Sequence, residues 1–332
     1  MRRIPLGSDG LTVSTEGLGC MGMSTTYGPS DEQEARVTLR RAVELGVTLF
    51  DTAESYGLGD NERLVGHALA PVRDDVVIAT KVGFGYTEDG QMAVVDGRPV
   101  VDGRPQNIVR AIKGSLGRLG MERIDLVYLH RIDPTVPIEE TISAMAGLVK
   151  AGQVGHLGLS EASAATIRRA HAVHPITAVQ TEYSLFERGV EANGVLATVR
   201  ELGIGFVPYS PLGRGFLTGR LNPDDLHASD FRNSDPRFQG ENLAPNLRIV
   251  DAIARIAAQK GVTPSQLAIA WTIAQGGVPI PGTRRVRYLR ENVAAADITL
   301  AADELTALDA AAPVGAASGD RYAAGNMELL TQ

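Results

Sequence analysis

The stretch Gly46-Val-Thr-Leu-Phe-Asp-Thr-Ala-Glu-Ser-Tyr56 decides the fold assignment, because an apolar run passes directly into charged and polar side chains. Two later stretches repeat this pattern, Val76-Val-Ile-Ala-Thr-Lys81 and Asp125-Leu-Val-Tyr-Leu-His130. Each run predicts a buried strand, and α/β proteins keep their chemistry at the carboxyl ends of such strands. The candidate catalytic residues at these ends are Asp51, Tyr56, Lys81 and His130.

The same alternation of strands and helices continues along the chain. Strands are predicted at 16–20, 47–51, 76–80, 125–130, 154–159, 177–181, 204–209 and 277–280. A first helix opens at Ser30-Asp-Glu-Gln33 and ends before Gly46, with a capping signature at its start. Further helices are predicted at 60–70, 106–119, 137–151, 162–173, 190–202, 246–260 and 264–275. This alternation indicates a parallel α/β fold.

Two absences favour a closed barrel over an open sheet. No Gly-x-Gly-x-x-Gly turn with an acidic residue about twenty positions later follows the first strand, as a dinucleotide-binding open sheet would show, and no Pro/Ser-rich linker divides the 332 residues into two domains. We therefore expect one (β/α)8 TIM barrel over 1–332. An Asp-Gly turn at Ser8-Asp-Gly10 predicts a β-hairpin over 2–13 that covers one end of the barrel. Two polar segments, 83–105 and 212–245, are predicted loop insertions at the active-site end.

Composition limits the possible partners and location of the chain. A net charge of −7 and a pI of about 5.5 provide no overall attraction for nucleic acid or an anionic membrane. Cys20 is the one cysteine, so no internal disulfide can form, and no Cys/His group has zinc-like spacing. The N-terminus lacks the apolar segment of a secretory signal, and no apolar run reaches the roughly 18 residues of a spanning helix. We expect a cytoplasmic protein; the sequence does not indicate an oligomeric state.

The four candidate catalytic residues suit carbonyl chemistry. A phenol near a lysine can protonate a carbonyl oxygen, because the ammonium stabilises phenolate and lowers the tyrosine pKa from about 10. Asp51 can hold Lys81, and His130 can donate to the same oxygen. Each residue alone also has a structural interpretation, as a turn cap, a rim residue, a solvated strand end or a satisfied core histidine. Their occurrence together at three strand ends favours the functional interpretation.

These motifs resemble those of a known family. Asp51-Thr-Ala-Glu-Ser-Tyr-Gly57, Lys81 and Tyr128-Leu-His130 are similar to the catalytic tetrad of the aldo-keto reductases, (β/α)8 enzymes that reduce small-molecule carbonyls with NADPH. The resemblance extends from the N-terminal hairpin to Asn292. It implies that Tyr56 is the general acid, that Lys81 and Asp51 tune it, and that His130 positions the carbonyl. Hydride would come from the nicotinamide.

The resemblance also implies a cofactor site along the later strand ends. Ser160, Glu161 and Gln180 would surround the nicotinamide carboxamide; many members have Asn at the position of Glu161, and a carboxylate can still accept from the amide nitrogen. Tyr209 would stack on the nicotinamide, and the following loop, with glycines at 213 and 215, would wrap the pyrophosphate. The predicted cofactor-binding residues are Gly22, Ser160, Glu161, Gln180, Tyr209, Ser210, Leu212, Arg214, Gly282, Thr283, Arg284, Glu291 and Asn292.

A cluster of arginines favours NADPH over NADH. Arg284, Arg285 and Arg287 stand just after the last predicted strand of an acidic protein. Cations at a helix start oppose the helix dipole, so a solvated helix start explains them less well than a clamp for the ribose 2′-phosphate. Some family members have Lys where this chain has Gly282, which makes Arg284 the expected phosphate contact.

The predicted substrate pocket is apolar. Met21, Met23, Tyr27, Phe84 and Phe216 lie in loops that should ring the barrel mouth and favour an apolar or aromatic aldehyde or ketone. Packing of these side chains at the loop bases is an open alternative.

Two other functions stay open at this stage. The fold family includes channel-associated proteins that bind NADPH and turn over slowly, so a regulatory subunit is one alternative, although the intact tetrad argues against it. An aldolase with Lys81 as a Schiff base is the other, and it leaves Tyr56 and the arginines unexplained. NADPH turnover with a panel of carbonyls separates the first from a reductase, and borohydride trapping separates the second.

Overall fold

The centre of the fold is a parallel sheet that curls into a nearly closed barrel. The computed structural model describes residues 1–24 and 26–330. Its strands are β1 (Arg3–Pro5), β2 (Thr12–Ser14), β3 (Leu18–Gly19), β4 (Leu49–Asp51), β5 (Val77–Val82), β6 (Val94–Val95), β7 (Arg98–Pro99), β8 (Ile124–Leu129), β9 (Val154–Ser160), β10 (Ala178–Glu182) and β11 (Gly205–Tyr209). Seven of them pair in the order β11-β10-β9-β8-β5-β4-β3. The predicted (β/α)8 barrel is confirmed.

The eighth position of the barrel is filled by an extended segment at 278–282. The amides of Val278 and Ile280 donate to carbonyls of β11 at 2.9 and 3.0 Å. On the other side, the carbonyls of Pro279 and Pro281 accept from the chain around β3 at 2.9 and 3.3 Å. The segment thus joins the two edges of the sheet where a strand was predicted at 277–280. It lacks a regular ladder because proline has no amide proton to donate.

The helices lie outside the sheet and follow the predicted order. They are α1 (Glu32–Glu44), α2 (Asp60–Leu69), α3 (Pro105–Leu119), α4 (Ile138–Lys150), α5 (Ala164–Val173), α6 (Val195–Glu201), α7 (Gly240–Lys260), α8 (Pro264–Ala274), α9 (Val286–Val293), α10 (Ala302–Ala311) and α11 (Ala324–Met327). None of them, in the part of the chain that the structure describes, combines the length and apolarity needed to cross a membrane.

Some predicted boundaries were wrong. Helix α7 begins at Gly240, six residues before the predicted 246, and includes Pro245. A proline early in a helix costs one backbone hydrogen bond, which this helix tolerates, so the loop predicted at 212–245 ends at 239. The loop predicted at 83–105 ends one residue early, since Pro105 starts α3. The α1 cap is Asp31, whose carboxylate accepts from the Glu34 amide.

The predicted N-terminal hairpin closes the amino-terminal end of the barrel. Strands β1 and β2 pair antiparallel, and the Leu6 amide donates to the Leu11 carbonyl at 2.7 Å. Leu6, Leu11 and Val13 are buried in one apolar cluster with inward-facing barrel residues such as Leu126. The hairpin therefore leaves only the opposite, carboxyl-terminal end of the barrel uncovered.

A close contact inside the barrel explains one glycine. The Tyr128 ring is fully buried and lies against Gly158 of the neighbouring strand. A Cβ at position 158 would stand 2.4 Å from that ring. Only glycine therefore leaves room for Tyr128 beneath the candidate catalytic residues.

Glu16, between β2 and β3, is a buried carboxyl group that destabilises the fold as the pH rises. It is 1% exposed, and its Oε2 has no hydrogen-bond partner among the described residues. Burial raises the pKa of Glu16 from 4.5 to about 8. Between pH 4.5 and about pH 8 the unfolded chain releases a proton that the folded chain keeps. The free energy of unfolding therefore falls by up to about 1.4 kcal/mol per pH unit.

Glu16→Gln is therefore expected to stabilise the protein at alkaline pH. The amide keeps the shape of the side chain and removes its ionisation. We expect the melting temperature at pH 8.5 to rise by about 2 to 5 °C over that of the parent, and the difference to shrink towards pH 5. Thermal unfolding across this pH range measures it, with Glu88→Gln as the exposed control. A difference that does not change with pH would contradict the prediction.

Candidate active site

Four polar side chains meet at the carboxyl ends of three neighbouring strands. Asp51 ends β4, Tyr56 lies in the turn after it, Lys81 lies near the end of β5, and His130 follows β8. Lys81 Nζ donates to the Tyr56 hydroxyl at 3.1 Å and to the Thr52 carbonyl at 2.9 Å, and it forms an ion pair with Asp51. The Tyr56 and His130 rings lie edge to face with centroids 6.1 Å apart. The structure thus brings the four predicted catalytic residues together.

Lys81 and Asp51 form a buried ion pair. Lys81 is 1% exposed and Asp51 is 3% exposed. Burial disfavours the charge on Lys81, but Asp51 and Tyr56 outweigh it and raise the pKa of this lysine. The second oxygen of Asp51 accepts from Gln180 Nε2 at 2.7 Å, so the carboxylate is well satisfied. Lys81 is held as an ammonium ion, which disfavours its use as the neutral amine of a Schiff base.

Tyr56 is protonated at neutral pH. Burial raises the pKa of its phenol, and the Lys81 ammonium offsets only part of that rise. The expectation that Lys81 would bring the pKa below 10 was wrong for the protein alone, because desolvation is the larger effect. A neutral phenol beside an ammonium ion suits a proton donor, since the cation stabilises the phenolate only after the proton has left.

His130 is a neutral imidazole. Burial lowers its pKa well below 6.5, and the nearby Arg131 and Lys81 cations lower it further. The Phe84 ring packs against it in a T-shaped arrangement, with ring centroids 5.0 Å apart. Nδ1 is buried without a hydrogen-bond partner in the described part of the chain, which leaves Nε2 for the cavity. His130 can donate a hydrogen bond to a ligand oxygen without carrying charge.

A cavity of about 750 Å3 extends from these residues along the barrel mouth. This volume lies within the range of small-molecule sites. One end is lined by Asp51, Tyr56 and His130, and the other by Arg284 and Tyr288. Of the predicted cofactor-binding residues, those that line it are Gly22, Ser160, Gln180, Tyr209, Ser210, Leu212, Arg214, Gly282, Thr283, Arg284 and Asn292.

Glu161 does not line the cavity. Its backbone has φ 55°, a left-handed conformation that asparagine tolerates better than glutamate. Its carboxylate accepts from two nitrogens of Arg321, at 2.6 and 3.1 Å, and from the Glu182 amide at 3.0 Å. The expected contact with a carboxamide is therefore replaced by an ion pair. Glu291 likewise lies beside the cavity, where it accepts from Arg220 and Thr263.

Arg214 lines the cavity, but its positive charge is already paired with two buried carboxylates. Its guanidinium donates to Asp235 at 2.5 Å and to Glu182 at 3.1 Å. The loop that carries it turns sharply, with positive φ at Ser210 and Arg214 and at the glycines 213 and 215. Such strained turns cluster at ligand sites, so the backbone of this loop is better placed for a ligand than the Arg214 side chain.

At the far end of the cavity, two of the three arginines in the predicted cluster belong to the lining. Arg284 and Arg285 line it, whereas Arg287 stacks on the Tyr288 ring at 4.3 Å and does not. Arg284 Nη1 has no hydrogen-bond partner among the residues described. Arg220, from the 212–239 loop, also lines this end. No local pattern in the sequence could have indicated Arg220, because its neighbours in space lie about 70 residues further along the chain.

The predicted substrate pocket is only partly correct. Met21 and Tyr27 line the cavity, but Met23, Phe84 and Phe216 do not. Met23 is turned into the core by the short helical turn Met21–Met23. Phe216 packs between Phe186 and Phe238, with ring centroids 5.2 and 5.0 Å away. These side chains stabilise the loop bases, which is the alternative that the sequence left open.

The C-terminal tail supplies two residues that sequence reasoning missed. Tyr322 lines the cavity, and its hydroxyl is 3.1 Å from that of Tyr209. Arg321 donates to the same Tyr209 hydroxyl at 3.0 Å. The predicted site ended at Asn292, and nothing in the Ala- and Gly-rich tail indicates that it returns to the barrel mouth.

Comparisons of the sequence and of the structure with known proteins lead to the same family. Residues 17–313 match the model of the aldo/keto reductase family. The chain is 43% identical over 323 residues to probable aldo-keto reductase 1 of Glycine max, covering 96% of this chain and 91% of that protein. It resembles the glycerol dehydrogenase AKR11B4 of Gluconobacter oxydans, with a TM-score of 0.83, 27% identity and coverage of 93% and 94% of the two chains. A thermostable aldo-keto reductase crystallised with the inhibitor epalrestat has a TM-score of 0.74, 29% identity and coverage of 94% and 100%.

Proposed function

The chain belongs to the aldo/keto reductase family, and from its site we propose that it reduces aldehydes or ketones to alcohols with NADPH, with Tyr56 as the general acid. Membership makes the protein an oxidoreductase that uses a nicotinamide cofactor and acts on small-molecule carbonyls. The contact that supports the finer proposal is the 3.1 Å hydrogen bond between the Lys81 ammonium and the Tyr56 hydroxyl at the cavity wall.

Each side chain of the site has a separate role in the proposed carbonyl reduction. When bound, the reduced nicotinamide supplies the hydride. Neutral His130 and the Tyr56 hydroxyl are the donors available to the carbonyl oxygen. As negative charge develops on that oxygen, Tyr56 transfers its proton and becomes a phenolate. Lys81 then stabilises the phenolate, and Asp51 keeps Lys81 charged and in position.

The cavity has the features that NADPH requires. Ser160, Gln180 and Tyr209 would hold the nicotinamide end. The strained loop from Ser210 to Gly215 would hold the pyrophosphate with its backbone. Arg284, with a nitrogen that has no partner in the described residues, fits the 2′-phosphate.

We also propose that both loop insertions border the active site. Phe84, at the start of the first, contacts His130. Arg220, Leu221 and Phe231, from the second, line the cavity. These contacts support a role for the insertions in shaping the substrate site.

A direct assay tests the proposed activity. The purified protein is given NADPH or NADH with 4-nitrobenzaldehyde and a panel of other carbonyls, and both cofactor oxidation and alcohol formation are followed. We expect oxidation of NADPH that depends on the aldehyde. Cofactor binding without turnover across the panel would favour the regulatory alternative, and borohydride trapping of a substrate on Lys81 would favour the aldolase.

Arg284→Ala is expected to weaken NADPH use selectively. Loss of a charge-assisted hydrogen bond to phosphate should raise the KM for NADPH by about 10- to 100-fold, with the KM for NADH changed by less than about threefold. Steady-state kinetics with both cofactors measure this. Arg290→Ala, an exposed change on α9, is the control. Equal effects on the two cofactors would contradict the assignment of Arg284 to the 2′-phosphate.

A further inference from the structure

Arg131 is a cation at the catalytic end of the cavity that the reduction mechanism does not use. It directly follows His130 at the end of β8, is half-buried and lines the cavity. Its Nη1 donates to the His130 carbonyl at 2.7 Å and to Ser160 Oγ at 3.3 Å. Within the described residues, Nε and Nη2 make no hydrogen bond and no carboxylate lies within 4.0 Å. Two edges of its guanidinium are therefore available to a ligand.

Most other arginines around the mouth are paired with carboxylates; Arg284, at the far end of the cavity, is not paired with any of the described residues. Arg321 pairs with Glu161 and Glu182, and Arg214 with Glu182 and Asp235. Arg232 forms an ion pair with Asp230, and Arg220 forms one with Glu291. The carboxylates nearest the catalytic end are thus already occupied by other cations. In the described part of the chain, Arg131 has no carboxylate of its own beside His130; Glu161, which is paired with Arg321, acts on it only from beyond 4.0 Å.

A half-buried guanidinium of this kind is suited to a carboxylate. Its fork of donors matches two carboxylate oxygens, and the attraction is stronger in a cavity than in bulk water. The backbone places Arg131 next to His130, which faces the carbonyl oxygen in the proposed mechanism. Arg131 also donates to Ser160, which the proposed function assigns to the nicotinamide end. Because the nicotinamide and its carboxamide carry no negative charge, an anion held by Arg131 would belong to the substrate.

We propose that Arg131 is a specificity-determining residue that binds a carboxylate of the substrate, so that the site prefers carbonyl compounds bearing a carboxylate, such as oxo acids and carboxy-substituted aldehydes. This inference rests on the proposed reductase function. It also replaces the expectation of a purely apolar substrate, since three of the five predicted apolar residues do not line the cavity.

Matched substrates test the proposal. The values of kcat/KM are measured for 3- and 4-carboxybenzaldehyde and for their methyl esters, at saturating NADPH. We expect the wild-type protein to prefer at least one acid to its ester. Arg131→Gln should lower that acid-to-ester ratio by about 10- to 100-fold, mainly through the KM of the acid, as the loss of a charge-assisted contact predicts. Arg131→Lys should keep part of the preference.

Controls separate position from net charge. Arg290→Gln removes the same charge from an exposed position on α9 outside the cavity lining and should leave the ratio unchanged. A wild-type protein that prefers both esters, or a ratio unaltered in Arg131→Gln, would overturn the proposal. So would a loss of NADPH affinity in Arg131→Gln with no change in the ratio, because Arg131 would then belong to the cofactor site.

A binding measurement distinguishes failure of this inference from failure of the proposed function. If no aldehyde is turned over, the reductase proposal fails, and calorimetry with benzoate and benzamide still tests Arg131. The inference stands if benzoate binds the wild-type protein better than benzamide and binds Arg131→Gln at least about tenfold more weakly. It fails if benzoate does not bind or binds both proteins equally. Thermal unfolding of each variant verifies that it is folded.

Discussion

Tyr56→Phe is expected to lower kcat for carbonyl reduction by about 100- to 10 000-fold, the range of a lost general acid, and to leave NADPH affinity within about threefold of wild type. Phenylalanine keeps the ring and its edge contact with His130. It removes the hydroxyl that lies 3.1 Å from Lys81 and therefore the proton that the mechanism delivers. Steady-state kinetics and a fluorescence titration with NADPH measure the two quantities.

The control and the pH profile make this prediction specific. Tyr86→Phe removes a hydroxyl outside the cavity lining and should change kcat by less than about threefold. Because burial raises the pKa of Tyr56, reduction should keep its rate through neutral pH and lose it only as alkaline pH removes the phenolic proton. Full activity of Tyr56→Phe would exclude this residue as the proton donor.

Lys81→Met is expected to abolish most activity and to destabilise the fold. Loss of the ammonium leaves nothing to stabilise the Tyr56 phenolate, so kcat should fall by about 100-fold or more. Asp51, 3% exposed, is left without its cation, which costs about 3 to 5 kcal/mol when such a pair is broken from one side. Urea unfolding and initial rates measure the two effects.

The double variant Lys81→Met with Asp51→Asn separates these roles. It removes both charges, and Gln180 can still donate to the amide oxygen that replaces the carboxylate. We expect it to recover much of the stability lost in Lys81→Met and none of the activity. Recovery of activity together with stability would mean that Lys81 has only a structural role.

Local patterns predicted the parts of the site that depend on strand ends. Asp51, Lys81 and His130 each end an apolar run, and parallel strands bring their carboxyl ends to one edge. A strand was also predicted at 277–280, where the extended segment 278–282 completes the barrel, although two prolines prevent regular pairing there. The direction of the Tyr56 pKa was predicted wrongly, because the sequence shows a nearby lysine but not the depth of burial.

Long-range contacts could not be predicted from the sequence. Arg321 reaches Glu161 across 160 residues, and this pairing withdraws Glu161 from its expected place beside the carboxamide. Met23 and Phe216 occur in loops with suitable composition, but their direction depends on short helical turns and on aromatic partners far along the chain. The free edges of Arg131 follow from which carboxylates have already been paired, which only the folded chain determines.

Transfer of labelled hydride tests the central claim most directly. The protein is incubated with 4-nitrobenzaldehyde and NADPH deuterated at both C4 positions, and the alcohol is analysed by mass spectrometry. The proposed reduction predicts an alcohol with deuterium on its carbinol carbon, formed by the wild-type protein about 100-fold or more faster than by Tyr56→Phe. An unlabelled alcohol, or formation of the labelled alcohol at equal rates by both proteins, would contradict hydride transfer from NADPH with Tyr56 as the acid.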